Sequence, residues 1–392
     1  MAGILDGIRV LDFGRYVAGP LCAALLADLG AEVIRVERPG GGDDRFLMPI
    51  TDAGDGAQFL QSNRNKKSLT LDMSSPKCAS IIARLVVHAD VVIANLSPSA
   101  LRHLGLDYET LKSIREDIIL TSITAFGSDG ELKDMIGFDG VGQAISGAVY
   151  LTGEAGKPYR SAAAFVDFGT GVSCAYGTLA AILGKKQTGK GMHVQASLAG
   201  TALNIMSPAL IEHATGANIR QPIGNRSPFA GPSDVFAARD GWFIMLAIGP
   251  AMFKRWTKLV SRPELVEDPL YASDILRGRN GAELSRITAE WAAGRTREEC
   301  LSALAKANIA ASPVLTPAEV MGGALGLADV FFQTVDYPGT NGVPLPKSPV
   351  SFSHGAKDME RPPLVGEHTD EVLSEFGFGA EEIAALREKR VV

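Results

Sequence analysis

Between residues 8 and 39 the hydrophobic pattern changes period twice. "IRVLDFG" (8–14) is an apolar, β-branched run closed by glycine; "GPLCAALLADLG" (19–30) is apolar for the length of a short helix and ends on glycine; "AEVIRVERP" (31–39) is a second β-branched run. Strand, helix and strand within about 30 residues make a βαβ unit, so the two strands are parallel and the crossover is right-handed. The pattern recurs in "KSLTLDM" (67–73), "SPKCASIIARLVVHAD" (75–90) and "VVIANL" (91–96). It continues through helix "YETLKSIRE" (108–116) and strand "IILTSITAFG" (118–127). This constrains the chain more than anything else in it. It predicts an α/β fold whose doubly wound, Rossmann-like sheet occupies roughly the first 130 residues.

The rest reads more coarsely. Residues 139–153 are helical and rich in small residues, and 167–186 form a long helix closed by the turn at 185–191. "MHVQASL" (192–198) is a strand followed by helix to 216. The Gly, Pro, Asn and Ser of 218–233 mark a linker or site-lining loop. A hairpin follows at 234–249, its turn at Asp240-Gly241, and then amphipathic helices at 281–294 and 297–309. This change of pattern indicates a smaller α+β domain. The 43 glycines exceed the usual share of about 7% and suit many tight turns and close backbone approaches.

Composition excludes several classes. The net charge is −6 with no basic stripe, which argues against nucleic acid or an anionic membrane as partner. Cys22, Cys78, Cys174 and Cys300 are scattered without a CxxC pair, and Cys22 and Cys174 fit reduced core positions. The first residues show no basic region followed by a long apolar run, and no apolar stretch reaches the roughly 18 residues of a span. These readings favour the cytoplasm. The six histidines show no HExxH or Cys/His pairing, so no metal site is expected.

The first βα turn, "DFGRYVAGP" (12–20), is not GxGxxG, and no GxxxxGK[ST] occurs. Backbone amides at Val17 and Ala18 can still hold an anion or an adenine edge; an ordinary strand–helix turn is the alternative. Glu37 stands where dinucleotide folds place a ribose-binding acid, and reads equally as structural. Arg38 ends the second strand at the carboxyl edge of the sheet, where open α/β folds bind ligands. Arg64, Lys66 and Lys67 in "RNKK" read either as a phosphate clamp or as a solvated turn.

Two isolated acids stand out. Asp167 is the only charge in "AAAFVDFGTGVSCAYGTLAA" (162–181), and Asp139 lies in "IGFDGVGQAISG" (136–147). Position makes either one an N-cap. The same position suits Asp167 as a nucleophile, with the helix dipole lowering its pKa and nearby N–H groups available to an oxyanion.

Taken together, "LDGIRVLDFGRYVAGPLCAALLADLGAEVIRVERPGGGD", "RNKKSLTLD", "ANLSPSALRHLGL", "GFDGVGQAISG", "AAFVDFGTG", "KQTGKGMHVQASL" and "RPPLVGEHTDEVL" resemble the class III (CaiB/BaiF-type) CoA-transferases. The resemblance runs in order along nearly the whole chain. It implies an enzyme that moves CoA between carboxylic acids, with Asp167 as the nucleophile and Asp139 as an acidic residue close to it. The acyl-CoA is expected at Val17, Ala18, Arg38, Leu71, Asp72, Met73, Asn95, Leu96 and His103, with Arg38 meeting the nucleotide phosphates. CoA enters as substrate, and no tightly bound cofactor is implied. The family fold is an interlocked homodimer with a large domain made from both chain ends (here 1–217 and 330–392) and an inserted small domain (225–325).

Donor and acceptor in such enzymes are small mono- or dicarboxylic acids such as succinate, mesaconate, citramalate or itaconate. Arg15, Arg160, Arg220 and Arg226 are candidates to hold a distal carboxylate. The formyl-CoA transferase branch has Gln where this chain has Val17, and a glycine-rich substrate loop for which "AIGP" (247–250) is a poor substitute. The racemase branch carries a His-Asp pair where this chain has Phe138-Asp139, and phenylalanine cannot move a proton. An acyl-CoA racemase or epimerase is the alternative function, followed by a nucleotide-cofactor dehydrogenase and by a CoA-binding protein without catalysis.

Overall fold

The computed structural model describes residues 3–392, which form two compact units. The first takes the chain up to Ser146, then Ala162–Ile205 and Asp329–Val392; the second takes Gly147–Ser161 and Met206–Ala328. In chain order the first half contains β1 (Arg9–Asp12), α1 (Ala18–Asp28), β2 (Glu32–Glu37), α2 (Ala57–Ser62), β3 (Lys66–Thr70), α3 (Cys78–Val87), β4 (Val91–Ala94), α4 (Pro98–Leu104), α5 (Tyr108–Ile114), β5 (Ile119–Thr124), α6 (Asp139–Ile145), α7 (Ala148–Leu151), the short strands β6 (Gly153–Glu154) and β7 (Lys157–Pro158), α8 (Phe165–Thr188), β8 (Met192–Ser197) and α9 (Leu198–Ala214).

The first unit is built on a six-stranded sheet in the order β3-β2-β1-β4-β5-β8, and every neighbouring pair is parallel. The order reverses at β1: β2 and β3 are added on one side, β4, β5 and β8 on the other. The crevice beyond the carboxyl ends of β1 and β4 is therefore the topological switch point, where open α/β sheets bind ligands. Alternation along the strands feeds two cores. Val10, Val33, Val91 and Ile93 pack with α1 and α8 on one face. Leu11, Ile34, Val92 and Leu120 pack with α3 and the C-terminal helices Thr369–Glu375 and Ala380–Glu388 on the other.

The second unit has a three-stranded antiparallel sheet, with Gly241–Leu246 between Ser233–Ala238 and Ala310–Pro313. Phe236, Phe243, Phe253, Trp256 and Leu284 fill its core. The hairpin turn falls on Arg239 and Asp240, one residue before the expected place. The unit also includes 147–161, outside the expected 225–325, because Gly224 N–H donates to the Gly153 carbonyl at 2.6 Å and Glu154 bridges to Ile223.

Helix α8 has 24 residues and begins at Phe165, two residues before its expected start at Asp167. It is long and apolar enough to cross a membrane, contrary to the expectation that no stretch would be. In the fold its Val166, Cys174, Ala181 and Ile182 are buried in the sheet core. It also lies close against α1: a Cβ on Gly171 would sit 3.0 Å from the Ala18 carbonyl oxygen and 3.1 Å from Leu21.

Candidate active site

The start of α8 shows which acid caps the helix. Ala164 occupies the N-cap position and contributes no side-chain hydrogen bond. Asp139, at the start of α6 and buried, does the capping instead: its Oδ2 accepts the N–H groups of Val166 (2.9 Å) and Asp167 (3.2 Å). Gln143 Nε2 donates to its other oxygen at 2.5 Å. Gly142 permits this approach, since a Cβ there would lie 2.8 Å from Val166 Cγ1. With the N–H groups served from outside the helix, Asp167 is free of the capping role.

Among the described residues nothing hydrogen-bonds to the Asp167 carboxylate, and it is half-buried. Burial first, and the Asp139 carboxylate second, push it from 3.8 up to about 6. This reverses the expected lowering: loss of water and a like charge raise the acid, and the cap that would have stabilised the anion goes to Asp139. Asp167 and Gly171 are four residues apart and share a helix face. Gly171 touches Ala18 and Leu21, so this face turns toward the start of α1, where Val17 and Ala18 were expected to meet the ligand.

The first βα loop is held from several sides. Gly14 N–H donates to Asp12 Oδ1, Arg15 exchanges two 2.7 Å hydrogen bonds with the Asn95 amide, and Tyr16 N–H donates to Asp44 Oδ2. The loop thereby brings the expected Val17, Ala18 and Asn95 to the switch point. Arg38 and Met73 join them, lining with Gly14 and Arg15 a small cavity of about 30 Å³. Arg38 bonds to Gly41 and Asp43 and keeps an exposed side chain. Leu71 is fully buried and offers only its backbone. Asp72 turns to Ser74, and Leu96 packs against the core. His103 is exposed on the last turn of α4, with no hydrogen bond to the loop among the described residues.

Glu37 is structural: Arg35 and Arg45 hold it below the usual carboxylate range against burial, and Ser68 donates to it. "RNKK" is neither a phosphate clamp nor a solvated turn. Arg64 is buried against Asp28, and the Lys66 side chain has no exposure and pairs with Asp12 at 2.7 Å. Of the arginines considered for a distal carboxylate, only Arg15 shares the unit of Asp167. Arg160, Arg220 and Arg226 lie in the second unit, where Arg220 pairs with Glu212 and Arg226 donates to the Ile223 carbonyl. No group of side chains suited to a metal occurs among the described residues.

A second pair resembles a nucleophile and base: Ser122 Oγ lies 2.8 Å from His193 Nε2. The Gln195 amide nitrogen faces His193 Nδ1 at 3.1 Å and can only donate. Ser122 and His193 lie on the neighbouring strands β5 and β8.

Sequence reasoning missed Asp12, Arg35, Asp44 and Gln143. Asp12 and Arg35 sit in buried apolar strands, Asp44 in a short turn and Gln143 in α6, and nothing in their local pattern marks them as site residues.

Residues 5–369 match the family described as CoA-transferase family III. The chain is 31% identical over 394 residues to the succinyl-CoA–D-citramalate CoA-transferase of Chloroflexus aurantiacus, covering 99% of this chain and 98% of that one. It is 31% identical over 411 residues to the formyl-CoA:oxalate CoA-transferase of Streptomyces avermitilis, covering 100% of both. A solved CaiB/BaiF family protein from Brucella suis superposes with a TM-score of 0.84 at 31% identity, over 96% of this chain and 100% of that chain. With its family and its parallel α/β sheet both matched, the chain belongs to the class III, CaiB/BaiF-type CoA-transferases.

Proposed function

We propose that the protein transfers CoA between short carboxylic acids with Asp167 as nucleophile. The observation that carries this reading is the division of labour at α8: Asp139 caps the helix, leaving the half-buried Asp167 carboxylate unbonded and raised to about 6. At pH 7 such a group is roughly ten-to-one ionised and more basic than an ordinary aspartate, which favours attack.

The Asp167 carboxylate adds to the thioester carbonyl of the donor, and the C–S bond breaks to give an acyl-aspartyl anhydride and CoA thiolate. The thiolate attacks the aspartyl carbonyl, releasing the donor acid and leaving an aspartyl-CoA thioester. The acceptor carboxylate attacks that thioester to form a second anhydride, and the expelled thiolate takes the acceptor acyl group, restoring Asp167. Each step exchanges one activated acyl bond for another, so exclusion of water protects the transfer potential.

Arg38 is assigned to the nucleotide phosphates, and Val17, Ala18, Leu71–Met73, Asn95, Leu96 and His103 to the rest of CoA. The relatives' substrates, succinyl-CoA with D-citramalate and formyl-CoA with oxalate, are short acids and support that class here. Phe138 weighs against racemisation.

We further propose an interlocked homodimer. The first unit carries an apolar cavity of about 390 Å³, lined by Leu25, Leu29, Val172, Tyr176, Leu179 and Phe352, which suits cover by a second copy; light scattering on the purified protein tests it. For the chemistry, protein incubated with succinyl-CoA and trapped with hydroxylamine is expected to carry a hydroxamate at Asp167. Asp167→Asn is expected to lose activity about a thousandfold or more; full exchange by that variant sinks the mechanism.

A further inference from the structure

We propose that Lys66 is the positioning group of the acyl-CoA loop: its charge, acting through Asp12 and the Pro20 carbonyl, holds residues 14–16 so that the Val17 and Ala18 amides are presented to the ligand. The inference rests on the reading above that the ligand is an acyl-CoA.

Lys66 opens β3, and its ammonium lies at the seam between β1 and α1. All three of its donors are used: Asp12 Oδ2 at 2.7 Å, the Pro20 carbonyl at 2.8 Å and Asn63 Oδ1 at 2.9 Å. Asp12 ends the strand before the loop and Pro20 lies in the first turn of the helix after it, so one buried point charge ties both ends together. Between these ends residues 14–16 are each gripped. Asp12 Oδ1 accepts from Gly14 N–H at 2.7 Å, and Arg35 donates to the Gly14 carbonyl at 3.2 Å. Asn95 brackets Arg15, and Asp44, itself held by Arg35, accepts from Tyr16 N–H at 3.1 Å.

Tyr16 has φ 61°, a left-handed conformation that an L-residue keeps only where its surroundings impose it. Gly14 is required at the pinch, since a Cβ there would lie 2.6 Å from Asp12 Oδ1. The Val17 and Ala18 N–H groups accordingly have no hydrogen-bond partner among the described residues, although both residues are buried. Buried, unpaired donors at a loop fixed this firmly are suited to a ligand's acceptors.

The groups facing the ammonium are Asp12 from β1, Arg35 from β2, Asn63 and Arg64 from the turn before β3, and the Pro20 carbonyl and Cys22 from α1. Burial, opposed by Asp12 and reinforced by Arg35 and Arg64, brings Lys66 down to about 8. The Cys22 thiol is pushed well above its ordinary value by burial and stays neutral. As pH rises through about 8 Lys66 loses its charge, Asp12 loses its cation, and the loop loses its brace.

Stability moves the other way. Between about 8 and the ordinary lysine value of 10.5 the unfolded state binds more protons, so this group's contribution to folding rises with pH. A lysine that merely supported the fold would therefore produce no loss of ligand affinity in that window. By linkage, a ligand favoured by the charged form takes up a proton when it binds near pH 8.

Desulfo-coenzyme A, which has no thiol to titrate, is the probe, with titration calorimetry from pH 7 to 9.5 in buffers of different ionisation heat. The wild-type affinity is expected to fall about 5- to 10-fold across pH 8, with net proton uptake. Lys66→Arg, charged throughout, is expected to show neither effect. Lys66→Met is expected to bind weakly at every pH while its circular dichroism stays native. A flat wild-type profile without proton uptake, or an unchanged fall in Lys66→Arg, overturns the proposal; the wild-type profile decides alone should a variant fail to fold. Absence of any binding at pH 7 would be a different result, removing the functional reading together with this inference.

Discussion

Replacing Asp139 by asparagine separates its two effects on Asp167. The side chain keeps its shape, and an amide oxygen can still accept the Val166 and Asp167 N–H groups, so α8 stays capped. The charge is gone. Asp167 stands about two pH units above the ordinary aspartate value, at about 6, with burial the larger cause and Asp139 the second. The carboxylate's share is thus at most about one unit, or about 1.4 kcal/mol. If ionised Asp167 is the attacking form, kcat/KM falls on the acid side with a midpoint near 6, and Asp139→Asn moves that limb downward by up to about one unit. The variant should keep activity within about tenfold at pH 7.5, because the nucleophile is not displaced. The assay is transfer from succinyl-CoA to a panel of short acids at pH 5 to 8, followed by chromatography of the thioesters. An acid limb that stays in place, or moves upward, refutes the electrostatic coupling between the two carboxylates. Asp139→Ala provides the contrast, since it removes the cap as well and should cost about 2 kcal/mol in urea unfolding.

Gly171→Ala puts a methyl 3.0 Å from the Ala18 carbonyl oxygen, so it should destabilise by about 1–3 kcal/mol and raise the KM for acyl-CoA; an unchanged KM would disconnect the α1–α8 contact from the site. Tyr337→Phe removes the 2.9 Å hydrogen bond to buried Asp55 and should cost about 1–3 kcal/mol in denaturant unfolding, with no change in the pH profile. All four cysteines are buried, and burial raises the thiols of Cys22, Cys78 and Cys174. Iodoacetamide should therefore label them only after unfolding, as read by intact-mass spectrometry.

The parallel sheet was legible because its signal is local: β1, α1 and β2 each show their own periodicity within a few residues. Asp167 was legible as a lone charge, but its protonation was not. Position pointed to a helix cap and a lowered pKa, whereas the cap comes from a residue 28 positions away in sequence, and no pattern in the sequence records that pairing. Lys66 shows the same limit. Next to Arg64 and Lys67 it reads as part of a charged turn, yet its partner Asp12 lies 54 residues earlier, inside a strand that looks purely apolar. The strand 153–154 likewise gave no sign that it would be recruited by Ile223 and Gly224. Local hydrophobic periodicity is written in the sequence; buried ion pairs and distant caps arise only when the topology brings their members together.

Assembly of the first unit from three separated stretches has a consequence for biosynthesis. Its last stretch, Asp329–Val392, leaves the ribosome after the whole second unit. Until then Asp55 lacks its bond from Tyr337, Arg45 lacks the Pro363 carbonyl, and β3 lacks His368 and Thr369 at its open edge. A nascent chain halted before residue 329 would carry a sheet with β3 as an uncovered parallel edge and the charges around Arg45 beside it incompletely paired, the kind of intermediate that chaperones hold. The first unit is thus started first and completed last, and Arg45 gains its bond to the Pro363 carbonyl only when the final stretch arrives.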